Sequence, residues 1–309
     1  MPEAAEASPD RTLVMGVVNV TPDSFSDGGR FLRVDDAVAQ GLRLAAEGAD
    51  YLDIGGESSR PGAEEVGEQE ELDRVAPVIE RLAAGVDVPV SVDTYKPSVA
   101  RECLRLGARM INDISGLGDP EMIRVATEAG ASVVIMHMRG RPKTMQRDPH
   151  YDDVVGEVRT FLHERAAQAR EAGIEDVIVD PGIGFGKTAA HNFEILRRLA
   201  AFTSLGFPVL VGPSRKSFLG ALPSGLPPEQ RLEGTLAAVA VAVVAAMVGV
   251  MATTVVTTVT VLMATVVVPM AGEDRMVMVH LTAMHRTAML HRLHHRHLLP
   301  KPSKQPCKL

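Results

Sequence analysis

Apolar runs alternate with helical patterns along most of the chain, and each run ends in a polar or glycine-rich turn. Seven runs have the length and composition of buried strands, at residues 13–20, 51–54, 89–93, 110–112, 132–137, 177–180 and 208–211. Between the runs, apolar residues recur at helical spacing. They predict inward faces at Val38, Leu42 and Ala45, at Leu72, Val75, Ile79 and Leu82, and at Val155, Val158, Leu162, Ala166 and Ala169. Alternating strands and helices predict an α/β fold with a parallel sheet.

Polar residues stand where these strands end, at positions that a hydrophobic core disfavours. They are Asn19, Asp53, Asp93, Asn112, His137, Asp180 and the Gly-Pro-Ser-Arg-Lys turn at 212–216. Any one of them alone is typical of a strand-end cap. In a (β/α)8 barrel, which takes about 250 residues, active sites lie at the carboxyl ends of all the strands. An open doubly wound sheet binds ligands only near its switch point. The pattern therefore favours a closed (β/α)8 TIM barrel.

Two of the loops that follow these strands have compositions suited to anions. The loop up to Gly29 is dense in Asn, Thr, Ser, Asp and Gly, which suits oxyanions and a divalent cation better than a core. The loop at 55–62 places Arg60 after two serines and among glycines, which predicts an anion clamp because a guanidinium matches phosphate geometry. An ordinary surface loop and a glycine-rich linker are the respective alternatives.

The later strand ends suggest recognition of a flat nitrogen heterocycle. Asp93 and Asn112 can satisfy its donor and acceptor edge. Asp180 precedes a glycine loop that carries Phe185 toward such a ligand, and Lys216 adds positive charge. The sequence around Gly186-Lys187-Thr188 is not a phosphate-binding P-loop, because Pro181 stands where the first glycine is needed. His137 is typical of a packed strand-end histidine, and we assign it no role.

Composition narrows the functional classes. The chain has 309 residues, is 46% apolar, and carries a net charge of -7, which gives no indication of nucleic-acid binding. Its two cysteines, Cys103 and Cys307, lie in no metal-type spacing and fit a reducing cytosol. The acidic, Ala-rich start lacks the features of a signal peptide. We therefore expect a cytoplasmic protein with one large α/β domain or two small ones.

Two of these stretches resemble the signatures of the bacterial dihydropteroate synthases, the sulfonamide targets of folate biosynthesis. They are Asn-Val-Thr-Pro-Asp-Ser-Phe-Ser-Asp-Gly-Gly at 19–29 and Asp-Ile-Gly-Gly-Glu-Ser-Ser-Arg-Pro-Gly at 53–62. Shorter matches follow in the family's order at 91–94, 111–113, 136–138, 180–187 and 214–216. Together they cover residues 12 to about 243, and matches linked over such a length are highly specific.

The resemblance implies a (β/α)8 barrel and a transferase that joins p-aminobenzoate to 6-hydroxymethyl-7,8-dihydropterin pyrophosphate, releasing pyrophosphate. It implies no catalytic acid or base. Asn19 would bind Mg²⁺ and pyrophosphate, while Ser59 and Arg60 would hold pyrophosphate and the aminobenzoate region. The residues implied to hold the pterin are Asp53, Asp93, Asn112, Asp180 and Lys216, with Phe185 on the aminobenzoate side. The family's partners are small molecules, with no membrane or nucleic acid, and its homodimers rest on late helices.

The chain departs from the family near its end. The family's eighth strand carries Arg-Val-His soon after a Gly-Thr-Leu-Ala helix, and that helix motif is present at 234–237. From there to residue 272 no residue is charged. The nearest partial match to the strand motif, at 277–280, has Met where arginine belongs. We therefore expect a poorly formed eighth strand and impaired catalysis.

Three interpretations of this last segment compete. The uncharged run is long enough for a membrane helix, the final histidines could form a metal tract, or the segment after about residue 243 is an altered coding sequence. We favour the third, because the segment is nearly devoid of acidic residues, unlike anything upstream. The expected organisation is a disordered extension at 1–11, a pterin-binding barrel at 12–272 that is atypical from 243, and a disordered Met/His/Arg-rich tail at 273–309.

Three functions remain open on the sequence. The first is a dihydropteroate synthase, and the second is a non-catalytic pterin-binding copy with an altered carboxyl terminus. The third is the related pterin-binding barrel of the folate-dependent methyltransferases. The anion-binding loops and the Ser-Arg-Lys turn at 214–216 argue against the third, because a methyltransferase has no pyrophosphate to bind.

Overall fold

The computed structural model describes residues 12–21, 30–221, 225–252 and 261–266, with side-chain detail for 12–21, 34–221 and 225–247. The predicted extension at 1–11 and tail at 273–309 lie outside the described residues. The domain boundaries at 12 and 272 therefore stay predictions.

Eight parallel strands form a closed barrel in chain order. The strands are β1 (Leu13–Asn19), β2 (Tyr51–Gly55), β3 (Val90–Asp93), β4 (Met110–Asp113), β5 (Ser132–Met136), β6 (Val177–Asp180), β7 (Val209–Val211) and β8 (Val261–Val266). All seven predicted runs are strands, with ends that differ from the prediction by one residue at most. The (β/α)8 fold class is therefore confirmed.

Helices follow the strands and surround the barrel. They are α1 (Arg30–Ala46), α2 (Glu68–Gly85), α3 (Pro97–Arg105), α4 (Pro120–Ala129), α5 (Val154–Glu171), α6 (Ala189–Arg197), α7 (Ala200–Thr203) and α8 (Leu232–Ala252). Two short 3-10 helices lie at Ser217–Gly220 and Pro228–Gln230. Local sequence explains both ends of α4. Asp119 caps its start by accepting a hydrogen bond from the Glu121 amide, and Gly130 ends it at φ 60°.

The inside of the barrel is apolar at one end and polar at the other. Six buried residues fill the amino-terminal part, namely Leu13, Met15, Met110, Val134, Ile178 and Leu210. Since side chains two residues apart on a strand share a face, the residues that follow on the same face are polar. Asp53 follows Tyr51, Asn112 follows Met110, and Asp180 follows Ile178. The apolar cluster thus forms the floor of a polar cup at the carboxyl ends.

The predicted inward faces hold for α2 and α5 but not fully for α1. Val75, Ile79 and Leu82 are fully buried in α2, whereas Leu42 of α1 is 42% exposed. The reason is close packing between α1 and α2: a Cβ on Gly41 would lie 2.7 Å from Cδ1 of Leu82. The inward face of α1 is therefore centred on Gly41, with Ala37 and Leu44 beside it, and Leu42 faces outward.

The eighth strand, predicted to be poorly formed, is present as β8. Leu262, Ala264 and Val266 pair in register with Leu13, Met15 and Val17 of β1, and residues 261–263 pair with β7. Its sequence, Val-Leu-Met-Ala-Thr-Val, is rich in strand-forming residues, and the edges of β1 and β7 offer it backbone partners. The strand carries no charge, and the partial match at 277–280 lies outside the described residues.

Most of α8 lies in the uncharged run, and the helix packs against α6 and α7. Within the described ranges, no helix has the combination of length and apolarity that a membrane span requires.

Candidate active site

The polar cup is built first from β2, β3 and β4. Asp53 of β2 accepts a hydrogen bond from Nδ2 of Asn112 on β4, with 2.9 Å between the atoms. Between them, Ser91 of β3 pairs in register with Asp53 and is fully buried. Among the described residues, Oδ1 of Asp53 and Oγ of Ser91 have no hydrogen-bond partner. Leaving a buried polar atom unpaired costs about 1–3 kcal/mol, so these atoms favour a ligand that completes the pairing.

A second carboxyl group lies at the end of β3, close to the first. Asp93 is half-buried, and its carboxylate makes no hydrogen bond to another described residue. Burial, and then repulsion from Asp53, raises the pKa of Asp93 well above its usual range. Burial also raises the pKa of Asp53, an effect that the hydrogen bond from Asn112 reduces. A carboxyl pair that retains a proton offers both a donor and an acceptor, which matches the edge of a nitrogen heterocycle.

The opposite side of the cup is formed by Asp180, Phe185 and Lys216. The Asp180 carboxylate accepts a hydrogen bond of 2.7 Å from the Gly182 amide, and burial raises its pKa to about 6. The ammonium nitrogen of Lys216 lies 3.8 Å from the centre of the Phe185 ring. Burial lowers the pKa of Lys216 to about 8, although Asp180 and Asp93 oppose that shift. The structure thus brings the three predicted residues together as a carboxylate, a ring and a cation.

Lys187 belongs to the support of this loop. Its side chain is buried and donates to the backbone carbonyls of Gly182, Phe185 and His137 at 3.0, 3.0 and 3.2 Å. It also lies 3.1 Å from Nδ1 of His137. His137 is buried against Phe161, and burial lowers its pKa to about 3. This arrangement agrees with the rejection of a P-loop and with a packed role for His137.

Ser59 and Arg60 lie on the loop between β2 and α2. Ser59 is half-buried and lines a narrow cleft together with Asp93 and Thr94. Arg60 is exposed, and its guanidinium makes no hydrogen bond or ion pair within the part of the chain that the structure describes. Its positive charge contributes to the lowered pKa of Lys216, which places the two cations at the same end of the barrel. An unpaired arginine beside the cup is suited to an anionic ligand.

Asn19 is the last residue of β1, half-buried and in register with Gly55. In the described ranges no group of three or more His, Cys, Asp or Glu side chains could hold a metal ion. Mg²⁺ usually keeps several waters and binds through one or two protein ligands together with substrate phosphates. A single carboxamide beside an anion-binding loop fits that mode of binding. Residues 22–29, in the loop predicted to suit oxyanions and a divalent cation, lie outside the described residues.

Several residues of the site were not predicted from the sequence. Ser91 could have been found, because it shares an inward face with Asp93 two residues away. Lys96 and Lys187 are buried. Their burial was not expected from the sequence, because lysine is almost never fully buried unless it is paired. Glu57 accepts hydrogen bonds from both Tyr95 and Lys96, which lie far from it along the chain. No local pattern signals such contacts.

Comparisons with known proteins agree with this geometry. The sequence model of the family described as "Pterin binding enzyme" matches residues 15–254. The chain is 50% identical over 233 residues to the dihydropteroate synthase of Escherichia coli K12 and 48% identical over 236 residues to that of Synechocystis. Each alignment covers 75% of this chain and 82% of the relative.

Solved structures show the same similarity. The dihydropteroate synthase of Xanthomonas albilineans with 4-aminobenzoic acid has a TM-score of 0.73 at 48% identity, covering 83% of this chain and 88% of that one. The same enzyme in complex with 7,8-dihydropteroate has a TM-score of 0.71 at 46% identity, with the same coverage.

Proposed function

Because the chain belongs to the pterin-binding enzyme family and is by homology a dihydropteroate synthase, a transferase, we propose how its own residues perform that reaction. The substrates are p-aminobenzoate and 6-hydroxymethyl-7,8-dihydropterin pyrophosphate, and the products are 7,8-dihydropteroate and pyrophosphate. The observation that carries the proposal is the set of polar atoms without partners inside the cup. Within the described ranges, Oδ1 of Asp53 and Oγ of Ser91 are buried without a hydrogen-bond partner, and the carboxylate of Asp93 beside them makes no hydrogen bond.

The pterin is proposed to occupy the cup. Its ring edge carries N–H donors and nitrogen acceptors, which suit the carboxyl groups of Asp53, Asp93 and Asp180 and the amide of Asn112. Phe185 and Lys216 then border the side where p-aminobenzoate enters. The apolar floor below limits how deep the ring can sit, so its reactive methylene group points toward the loops.

The reaction itself needs no nucleophile from the protein. The C–O bond between the methylene carbon and pyrophosphate breaks, and the electron pair leaves with the pyrophosphate oxygen. The amine nitrogen of p-aminobenzoate forms the new C–N bond and releases a proton to solvent. Arg60 and Ser59 stabilise the departing polyanion. Asn19 would hold Mg²⁺, which would supply positive charge to neutralise part of that polyanion.

A second candidate function follows from β8. The family resemblance places an arginine and a histidine on the eighth strand, and β8 carries neither. A chain that binds pterin without turnover would have the same cup. The two candidates differ in product formation alone.

We expect dihydropteroate to form when the purified chain receives both substrates and Mg²⁺, and to stop forming when the metal is chelated. Product is measured by chromatography, and binding of the pterin pyrophosphate by calorimetry on the same preparation. Binding without product would replace the enzyme proposal with the non-catalytic one.

Arg60→Ala should lower the turnover number by roughly 10²–10³, the usual loss when one preorganised donor is removed. Its fold should be retained, since Arg60 is exposed and its side chain has no partner in the described structure. Arg105→Ala is the matched control, because Arg105 is an exposed arginine on α3 that pairs with Glu102. A lowered thermal midpoint in Arg60→Ala, unlike the control, would show that Arg60 is structural.

Pterin binding should be strongest between about pH 6 and 8. Burial raises the pKa of Asp180 to about 6, so its acceptor carboxylate is lost as the pH falls through 6. Burial lowers the pKa of Lys216 to about 8, so its charge is lost as the pH rises through 8. Titration with 6-hydroxymethylpterin, which carries no phosphate, avoids ionisation of the ligand's own phosphate. In Asp180→Asn the fall in binding below pH 6 should disappear, and in Lys216→Met the fall above pH 8 should disappear. If either fall persists in its variant, another group causes it.

We also propose a homodimer that buries one face of α8. Val241, Val244 and Met247 lie three residues apart on that helix and are 48%, 60% and 38% exposed. Large apolar side chains exposed along one stripe favour association. Light scattering should give twice the mass of one chain, and Val244→Glu should shift the population toward monomers. A wild-type chain that stays monomeric at micromolar concentration contradicts the proposal.

A cytoplasmic location stays a prediction from the sequence.

A further inference from the structure

Lys96, between β3 and α3, is a buried lysine that binds three groups at once. It is 8% exposed. Its ammonium nitrogen lies 2.5 Å from Oε2 of Glu57, 2.5 Å from Oε2 of Glu71 and 2.6 Å from the carbonyl oxygen of Val66. The two glutamate side chains are 10% and 1% exposed, so the ions are well shielded from solvent.

These partners lie at both ends of the loop that carries Arg60. Glu57 stands at its start, directly after Gly55 and Gly56, and Val66 stands at its end, before α2. The Glu57 carboxylate also accepts hydrogen bonds from the Val66 amide at 3.2 Å and from the Tyr95 hydroxyl at 2.9 Å. Lys96 therefore closes the neck of the loop, which we define as Glu57 and Val66.

The part of the loop beyond the neck has weaker attachments. Residues 60–62 and 64–65 are exposed. The tip meets the loop after β5 through the ion pairs Arg141–Glu65 and Lys143–Glu64, which are solvent-exposed. Such pairs are weak and screened by salt. A single backbone bond, from the Gly62 amide to the Pro142 carbonyl at 3.1 Å, accompanies them. The position of Arg60 thus depends mainly on the neck.

The charges explain why a lysine is required there. Burial opposes the charge of Lys96, but Glu57 and Glu71 outweigh that effect and raise its pKa. Burial raises the pKa of Glu71, and Lys96 reduces that rise. Without the ammonium group, two buried carboxylates would face each other, and one would take up a proton or move away. Either change releases Glu57 and with it the start of the loop.

We infer that Lys96 is a positioning residue that ties the two ends of the Arg60 loop together, so that Ser59 and Arg60 are held beside the strand ends where the pyrophosphate group binds. This inference rests on the proposed function of the cup. Lys96 does not touch the substrate in this arrangement; it acts through Arg60.

A double-mutant cycle tests this dependence. Lys96→Met should lower kcat/KM for the pterin pyrophosphate by roughly 10-fold or more, and Lys96→Arg, which keeps the charge, should recover part of that loss. In the Arg60→Ala background, Lys96→Met should have less than about a threefold further effect, because residues that act together are not additive. Arg101→Met is the control on the helix that Lys96 precedes, since the ion pairs of Arg101 with Glu121 and Glu128 are exposed.

Multiplicative losses in the double variant would overturn the inference, as would a kcat/KM for Lys96→Met within threefold of wild type. Hydrogen exchange followed by mass spectrometry supplies a readout that does not depend on activity. In Lys96→Met, faster exchange should be confined to residues 57–67, where the Val66 amide loses its acceptor. Faster exchange throughout the barrel would show a general structural role and reject positioning.

Two additions keep the test decisive. If Lys96→Met does not fold, Tyr95→Phe removes one hydrogen bond to Glu57 and should give a smaller loss of kcat/KM with faster exchange in residues 57–67. Unchanged exchange in those residues would reject the inference.

If the wild-type chain forms no dihydropteroate, the proposed function fails separately. Inorganic pyrophosphate should then still protect residues 57–67 from exchange in wild type and not in the Lys96 variant. Equal protection in both would overturn the inference.

Discussion

The two-residue repeat of the inward strand faces is the constraint on which the rest of the structure depends. Tyr51 and Asp53, Met110 and Asn112, and Ile178 and Asp180 are successive positions on one face. The first member of each pair belongs to or borders the apolar floor, and the second belongs to the cup. Buried carboxyl groups destabilise a fold unless they are paired. The closed barrel tolerates them because its floor and its helix-covered outer face bury many apolar side chains, which stabilise the fold as a whole.

The same repeat explains how much the sequence could predict. Strand runs and their polar ends are local signals, so seven strands and the positions of Asp53, Asn112 and Asp180 follow from them. The outward position of Leu42 was not predictable, because it results from Gly41 packing against Leu82 of another helix. The buried positions of Lys96 and Lys187 were hidden for a similar reason, since their partners are backbone carbonyls and glutamates brought together only by folding.

The eighth strand separates the requirements of the fold from those of the chemistry. Parallel pairing requires backbone donors and acceptors and tolerates most β-prone side chains. Leu262, Ala264 and Val266 can therefore close the barrel in register with β1. The family resemblance implies two further groups on that strand, a cation and an imidazole. Because β8 lacks both, we propose that Arg60 and a bound metal ion stabilise more of the charge of the leaving pyrophosphate. The match of the family model to residue 254 ends before β8 begins.

Three lysines, two buried and one half-buried, show that neighbours, more than residue type, decide the role of each side chain at this end of the barrel. Lys96 faces two carboxylates that outweigh its burial and raise its pKa, which makes it a permanent cation and a tie between segments. Lys187 faces backbone carbonyls, and burial lowers its pKa to about 7. The ammonium group of Lys216 lies over an aromatic ring and makes no hydrogen bond to another described residue. Since the first two have their donors committed to the protein, Lys216 is the lysine of the three whose donors remain open to a ligand.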